Sequence, residues 1–90
     1  KYKSLFDTGL LEVTKMPEDW NEKAKRILKI QLAKRSMKYH DLARKLNAIG
    51  VEESQNTIAT KLSRGTFSFV FFLQCMAALG ISKIDLDLED

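Results

Sequence analysis

Three of the four glycines, at positions 50, 65 and 80, are evenly spaced along the second half of the chain. Each follows a run of residues whose apolar side chains recur at helical spacing. Glycine often occupies the residue after a helix, because it adopts the left-handed backbone conformation at little steric cost. The spacing therefore predicts a series of short helices that end at these glycines.

Polar residues at the start of the apolar runs indicate where the helices begin. Asp19, Ser54 and Ser68 each precede a run and are suitable N-caps. The predicted helices cover about residues 20–36, 38–49, 54–64 and 69–79. No strand-like alternation occurs in residues 20–80, so the predicted fold class is all-α, with four helices and a short fifth segment around Ile84 and Leu86.

The chain is long enough for one domain. We assign an N-terminal arm to residues 1–19, a helical domain to residues 20–86 and an acidic tail to residues 87–90. The predicted core consists of the apolar stripes of the four helices: Ala24, Ile27, Leu28, Gln31 and Leu32; Tyr39, Leu42, Ala43, Leu46 and Ile49; Ile58 and Leu62; Phe69, Phe72, Leu73, Met76 and Leu79. Val51 is predicted to close the turn after Gly50.

Positive charge is concentrated in the middle of the chain. Residues 20–66 carry eleven Lys and Arg against four Asp and Glu, whereas residues 67–90 carry one against four. A basic central region favours an anionic partner such as nucleic acid or a membrane surface. The alternative interpretation is a solvated, lysine-rich helical surface.

The predicted third helix has a polar face without carboxylates. Successive residues turn by about 100° around a helix, which places Ile58 and Leu62 on the buried side. The opposite side carries Asn56, Thr60, Ser63 and Arg64, with Thr57 at its margin and Gln55 and Lys61 beside the buried stripe. Amide, guanidinium and methyl groups of these types contact base edges in a major groove. An ordinary polar helix surface is the alternative.

The order of several short motifs resembles a known family of DNA-binding domains. The motifs are Leu42-Ala43 with Leu46, a turn with Val51, Ser54-Gln55-Asn56-Thr57-Ile58, Arg64-Gly65, and Ala78-Leu79-Gly80-Ile81. Together they resemble the lambda-repressor-like, XRE-type helix-turn-helix superfamily over about residues 24–86. Lys38 stands where the family usually has a Ser or Thr cap. The resemblance implies a small bacterial protein that binds double-stranded DNA and regulates transcription.

The resemblance also implies which residues contact DNA. In this family the third helix enters the major groove, and residues of its first turns touch bases. The matching positions are Gln55, Asn56 and Thr60, and we add Thr57, Lys61 and Arg64 from the same helix. The start of the second helix, at Lys38 and Tyr39, is expected to hold a phosphate. Arg64, Thr66 and the basic first helix are expected to add phosphate contacts.

The residues that catalysis or metal binding would require are sparse. His40 is the only histidine and Cys75 the only cysteine, so we predict no metal site, no cofactor and no enzyme activity. Cys75 lies in an apolar run, where a thiol is usually inert. No segment has the length of a membrane span. A single cysteine and no recognisable leader favour a cytoplasmic protein.

Four phenylalanines lie close together in residues 67–72, and one helical face cannot bury them all. Either the N-terminal arm or Trp20 covers the second face, or the chain forms a homodimer through a surface of Phe69, Phe71 and Phe72. These side chains and the acidic tail also suggest an alternative function. In that alternative the domain keeps the helical fold as a protein–protein interaction module and does not bind DNA.

Overall fold

The computed structural model describes residues 19–86 and Leu88. It contains four helices: α1 (Trp20–Lys34), α2 (Tyr39–Ala48), α3 (Gln55–Arg64) and α4 (Phe69–Leu79). These residues contain no strand, and residues 81–86 form no fifth helix. The all-α prediction is therefore confirmed with four helices, while residues 1–18 of the predicted arm and most of the predicted tail lie outside the described residues.

The helix starts follow the predicted caps. The Asp19 carboxylate accepts hydrogen bonds from two backbone N–H groups of the first turn of α1. The Ser54 hydroxyl accepts from the Thr57 N–H at 3.1 Å, and the Ser68 hydroxyl accepts from the Phe71 N–H at 3.0 Å. At each of these positions, a side-chain oxygen satisfies an N–H group that has no partner within the helix.

Three helices end with the same hydrogen bond, from an apolar residue beyond the helix to a carbonyl in its last turn. The N–H of Met37 donates to the carbonyl of Leu32, that of Val51 to Leu46, and that of Ile81 to Met76, at 2.8–3.0 Å. This bond is the mark of a Schellman motif. All three donor residues pack against the core, as predicted for Val51. After α1, Ser36 takes the positive φ (55°) that glycine takes elsewhere.

Gly65 brings α3 against α1. Its φ is +69°, and a Cβ at this position would lie within 2.9 Å of the Asn21 carbonyl carbon in the first turn of α1. Glycine is therefore required both for the backbone conformation and for the close approach of the two helices.

The core lies between all four helices. Leu28, Leu42, Leu46, Ile58 and Leu62 are fully buried, as the stripes of the first three helices predicted. α2 packs against both α3 and α4, and α1 packs against α3. The prediction for Ile49 is wrong: α2 ends at Ala48, and Ile49 lies beyond the buried stripe with about half of its surface exposed (49%).

The predicted buried face of α4 is right for Met76, Phe72 and Leu79, which are buried or pack against the core, and wrong for Phe69 and Leu73. Phe71, Cys75 and Met76 enter the core, whereas Phe69 and Leu73 lie on the surface. Gln74 is the only polar residue in this helix, so its periodicity gave no contrast by which to choose a face. Phe71 therefore cannot belong to the predicted dimer surface. Trp20 is 62% exposed. It therefore does not cover the exposed residues of α4, because such a contact would bury both sides.

We expect Gly65→Ala to lower the free energy of unfolding by about 3 kcal/mol, because left-handed strain and displacement of the Asn21 backbone add together. Gly80→Ala is the matched control, since Gly80 has a similar φ of +75° but nothing within 4 Å of an added Cβ. It should cost only the strain, about 1 kcal/mol. Urea unfolding of both variants measures the difference, and equal losses would show that the contact with α1 contributes nothing.

Candidate nucleic-acid interface

The outward face of α3 carries most of the predicted base-contacting residues. Ile58 and Leu62 are fully buried, which fixes the rotation of the helix about its axis. The exposed residues of the opposite face are Asn56, Thr60, Ser63 and Arg64, and Gln55 is exposed in the first turn beside the buried stripe. They present two amides, two hydroxyls and one guanidinium.

Thr57 serves the start of α3. Its hydroxyl donates to a carboxylate oxygen of Glu53 at 2.7 Å and accepts from the Ser54 N–H at 2.9 Å. Its own N–H donates to the Ser54 hydroxyl. These reciprocal bonds form a capping box in which Thr replaces the usual Glu or Gln. The hydroxyl of Thr57 is therefore occupied within the protein, although the residue itself is exposed.

The ammonium group of Lys61 contacts other residues of the protein, although 39% of the side chain is exposed. Its ammonium group lies 2.5 Å from a carboxylate oxygen of Glu53 and 4.5 Å from the centre of the Phe71 ring. The ring face attracts the cation electrostatically. The structure thus brings Thr57 and Lys61 together through Glu53.

Glu53 is withdrawn from the surface, with only 8% of its side chain exposed. Burial opposes ionisation of the carboxylate, but hydrogen bonds from Lys61 and Thr57 and the charge of Lys61 outweigh it, so the pKa of Glu53 is lowered. The carboxylate of Glu53 is consequently paired within the fold, whereas its neighbour Glu52 is exposed. Sequence reasoning missed this role, because the Glu53–Lys61 pair joins a turn to a helix and has no short-range spacing signal.

The start of α2 already holds an anionic group. The Asp41 carboxylate accepts from the Lys38 N–H at 2.9 Å and from Arg44 at 2.8 Å. The Lys38 hydrogen bond is the main cause of the lowered pKa of Asp41, and Arg44 adds to it. Lys38 is exposed and Tyr39 is half-buried against the core. The exposed side chain of Lys38 therefore lies at the N-cap of α2 and not on the α3 face.

The cations of α1 are partly engaged within the protein. Lys25 pairs with Glu22 at 3.0 Å, and the Arg35 guanidinium donates to the Gln31 side chain and backbone. The Lys23 ammonium group lies 3.5 Å from the carbonyl of Leu88. The chain after α4 therefore returns to α1, where Asp85 and Leu86 line a depression together with Lys34.

Cys75 and His40, the side chains that nucleophilic catalysis would require, lie in different surroundings. Cys75 is fully buried, and burial raises the pKa of its thiol to about 12. His40 is largely exposed and lies 3.4 Å from Asp41. The described residues contain no group of three or more His, Cys, Asp or Glu side chains able to hold a metal. None of the helices in this part of the chain has the length and hydropathy needed to cross a bilayer.

A family model described as Domain of unknown function (DUF6471) matches residues 20–84. The matched range starts with α1 and ends after α4, and it includes Glu53, Lys61 and the whole outward face of α3. No significant match was found among curated proteins or solved structures.

We expect Glu53→Gln to lower the free energy of unfolding at neutral pH by about 1–2 kcal/mol, between the values for exposed and buried ion pairs. Because the folded-state pKa of Glu53 is lowered, its contribution is present above the pKa of the unfolded chain. That contribution is lost as the pH falls through the lowered value. Urea unfolding from pH 7 to pH 3 should therefore show a weaker acid dependence in the variant.

The control for this experiment is Glu52→Gln, which removes the same charge from the exposed neighbouring residue. Its stability and its acid dependence should follow the wild type. If both variants behave alike, the contact between Glu53 and Lys61 does not stabilise the fold.

Proposed function

We propose that this chain, which belongs to the DUF6471 family, binds double-stranded DNA sequence-specifically and regulates transcription, with α3 in the major groove. One observation carries the proposal: the exposed face of α3 combines amides and a guanidinium with no carboxylate, since residues 55–64 contain no Asp or Glu and the preceding Glu53 is turned inward. A helix with its side chains is about 10–12 Å across, which matches the width of a major groove.

The exposed residues suggest separate roles. Gln55 and Asn56, in the first turn of α3, have amides that pair in two-pronged fashion with adenine. The Thr60 methyl group suits contact with a thymine methyl. Arg64 is the last residue of α3. We assign its guanidinium to a guanine or a phosphate.

Phosphate contacts would supply most of the affinity and none of the sequence preference. Exposed Lys38 and Arg64 are the cations that we assign to this role, with Thr66 beside the end of α3. The excess of Lys and Arg over Asp and Glu within residues 20–66 also supports an anionic partner. The resemblance to XRE-type helix-turn-helix domains supports the same function, and this proposal places the protein in the bacterial cytoplasm.

A second candidate function is supported by a different surface. Phe69, Val70 and Leu73 are 70%, 62% and 51% exposed, and exposed apolar patches often mark protein interfaces. In this candidate the domain is a protein–protein interaction module that does not bind DNA. Salt dependence distinguishes the two functions, because only lysine and arginine contacts with phosphates release counterions in large number.

Selection from a randomised duplex pool, at two salt concentrations, should enrich a DNA motif that the protein binds more tightly at low salt. Gln55→Ala and Asn56→Ala should each relax the preference at one position, by about 1–3 kcal/mol. Lys38→Ala and Arg64→Ala should weaken binding to all duplexes alike and reduce the salt slope by about one. Titration of fluorescent duplexes measures both effects.

Lys83→Ala provides the charge-matched control, since Lys83 is exposed beyond α4 and should leave DNA affinity nearly unchanged. Lys61→Ala should reduce stability more than base preference, because Lys61 contacts Glu53 and Phe71. An absence of salt-sensitive DNA binding by the folded wild type would reject the proposal in favour of the interaction module.

A further inference from the structure

The side-chain amide of Asn47, near the end of α2, bonds to the backbone on both sides of the turn that leads to α3. Its Nδ2 group donates to the carbonyl of Ala43 at 2.6 Å and to the carbonyl of Glu53 at 2.9 Å. An amide nitrogen carries two hydrogens, so both are used. Glu53 precedes the N-cap of α3, and its carbonyl is therefore outside the hydrogen bonds of that helix.

The residues of the turn divide into two groups by their other hydrogen bonds. The N–H groups of residues 49–51 all donate to carbonyls of α2. The carboxylate of Glu53 accepts instead from Thr57 and Lys61 of α3. Within the part of the chain that the structure describes, the bond from Asn47 to Glu53 is the one hydrogen bond that joins α2 and the first group to the second.

Apolar packing holds α2 against α3 but does not by itself fix the turn. Apolar side chains of both helices are fully buried in the common core, and burial of this kind has little directional preference. In the turn, Val51 packs against the core and Glu52 is exposed. A Cβ added at Gly50 would meet nothing within 4 Å, so neighbouring atoms do not confine the turn there. A hydrogen bond is directional, and this one sets the position of Glu53 relative to α2.

We propose that Asn47 is a positioning residue for α3. It holds the carbonyl of Glu53, and the carboxylate of Glu53 holds Thr57 and Lys61, so the position of α2 is transmitted to the first two turns of α3. The role in DNA recognition rests on the proposed function, in which α2 supplies the phosphate contact of Lys38 and α3 supplies the base contacts. The two sets of contacts form together only if the two helices keep one relative orientation.

Loss of this bond should affect base readout more than phosphate contact. A lysine meets a phosphate as a point charge on a flexible stem, and it therefore tolerates a small shift of its helix. Two-pronged pairing with a base edge needs two hydrogen bonds of defined geometry at once. Asn47 carries no charge and is not among the residues assigned to DNA contact, so its removal leaves the cations of the interface in place.

Backbone ¹⁵N relaxation of the full chain, without DNA, tests the bond itself. The N–H groups of Glu52 and Glu53 should have order parameters of roughly 0.85 in the wild type and below about 0.6 in Asn47→Ala. Asn47→Asp keeps the shape of the side chain and removes its hydrogen-bond donors, so it should give the same loss. Ile81, whose N–H closes the turn after α4 as that of Val51 does after α2, is the internal reference and should not change. A rigid turn in either variant, or a flexible one in the wild type, overturns the proposal.

Titration of duplexes tests the positioning role, at a temperature where circular dichroism shows every variant to be folded. Asn47→Ala should bind the motif enriched by the wild type about tenfold more weakly, within the range that one two-pronged base contact contributes. Its affinity for a scrambled duplex and its salt slope should stay those of the wild type. Gln74→Ala is the matched control, because it removes an amide from α4 and should leave both affinities unchanged.

Equal weakening on both duplexes, or full retention of affinity for the motif, by Asn47→Ala overturns the positioning role. A wild type that enriches no motif rejects the proposed function instead. The relaxation experiment contains no DNA, so it then decides alone whether Asn47 fixes the turn between α2 and α3.

Discussion

The contact between Gly65 and the backbone of Asn21 is the constraint on which the arrangement of the helices depends. Only a residue without a Cβ lets the end of α3 approach the first turn of α1 so closely. This approach allows the leucines of α1 to meet Ile58 and Leu62 in a common core. At its other end, α3 is held by the cap at Ser54 and by the pair between Glu53 and Lys61. With both ends held by the protein, the outward face of α3 is left exposed.

Features that depend on residues close together in the sequence were predicted, whereas features that depend on contacts between distant residues were not. The bounds of α3 and α4 were predicted correctly because caps such as Ser54 and Ser68 act within a few residues. The buried faces of the first three helices were also predicted, because polar and apolar residues alternate there with helical period. α4 offered no such contrast, and its face is decided by packing against α2. The orientation of Lys61 escaped prediction because its partners, Glu53 and Phe71, lie in a preceding turn and in another helix.

The surface divides into regions of different chemistry around a central helix. α2 packs against α3 on one side and α4 on another. The polar face of α3 and the apolar face of α4 therefore lie on different helices, both of which pack against α2. Beyond α4, Asp85 lines a depression together with Lys34 of α1.

The outward side chains of α3 contribute little to the core or to the caps. The core contacts come from Ile58 and Leu62, and the start of the helix is held by Ser54 and Thr57, with Lys61 paired to Glu53. Evolution can therefore exchange Gln55, Asn56 or Thr60 for other polar residues with little penalty in folding. Members of a family built in this way are able to diverge in what they recognise while retaining one scaffold. The inward-facing residues of the same ten-residue helix are constrained instead by the packing of the core.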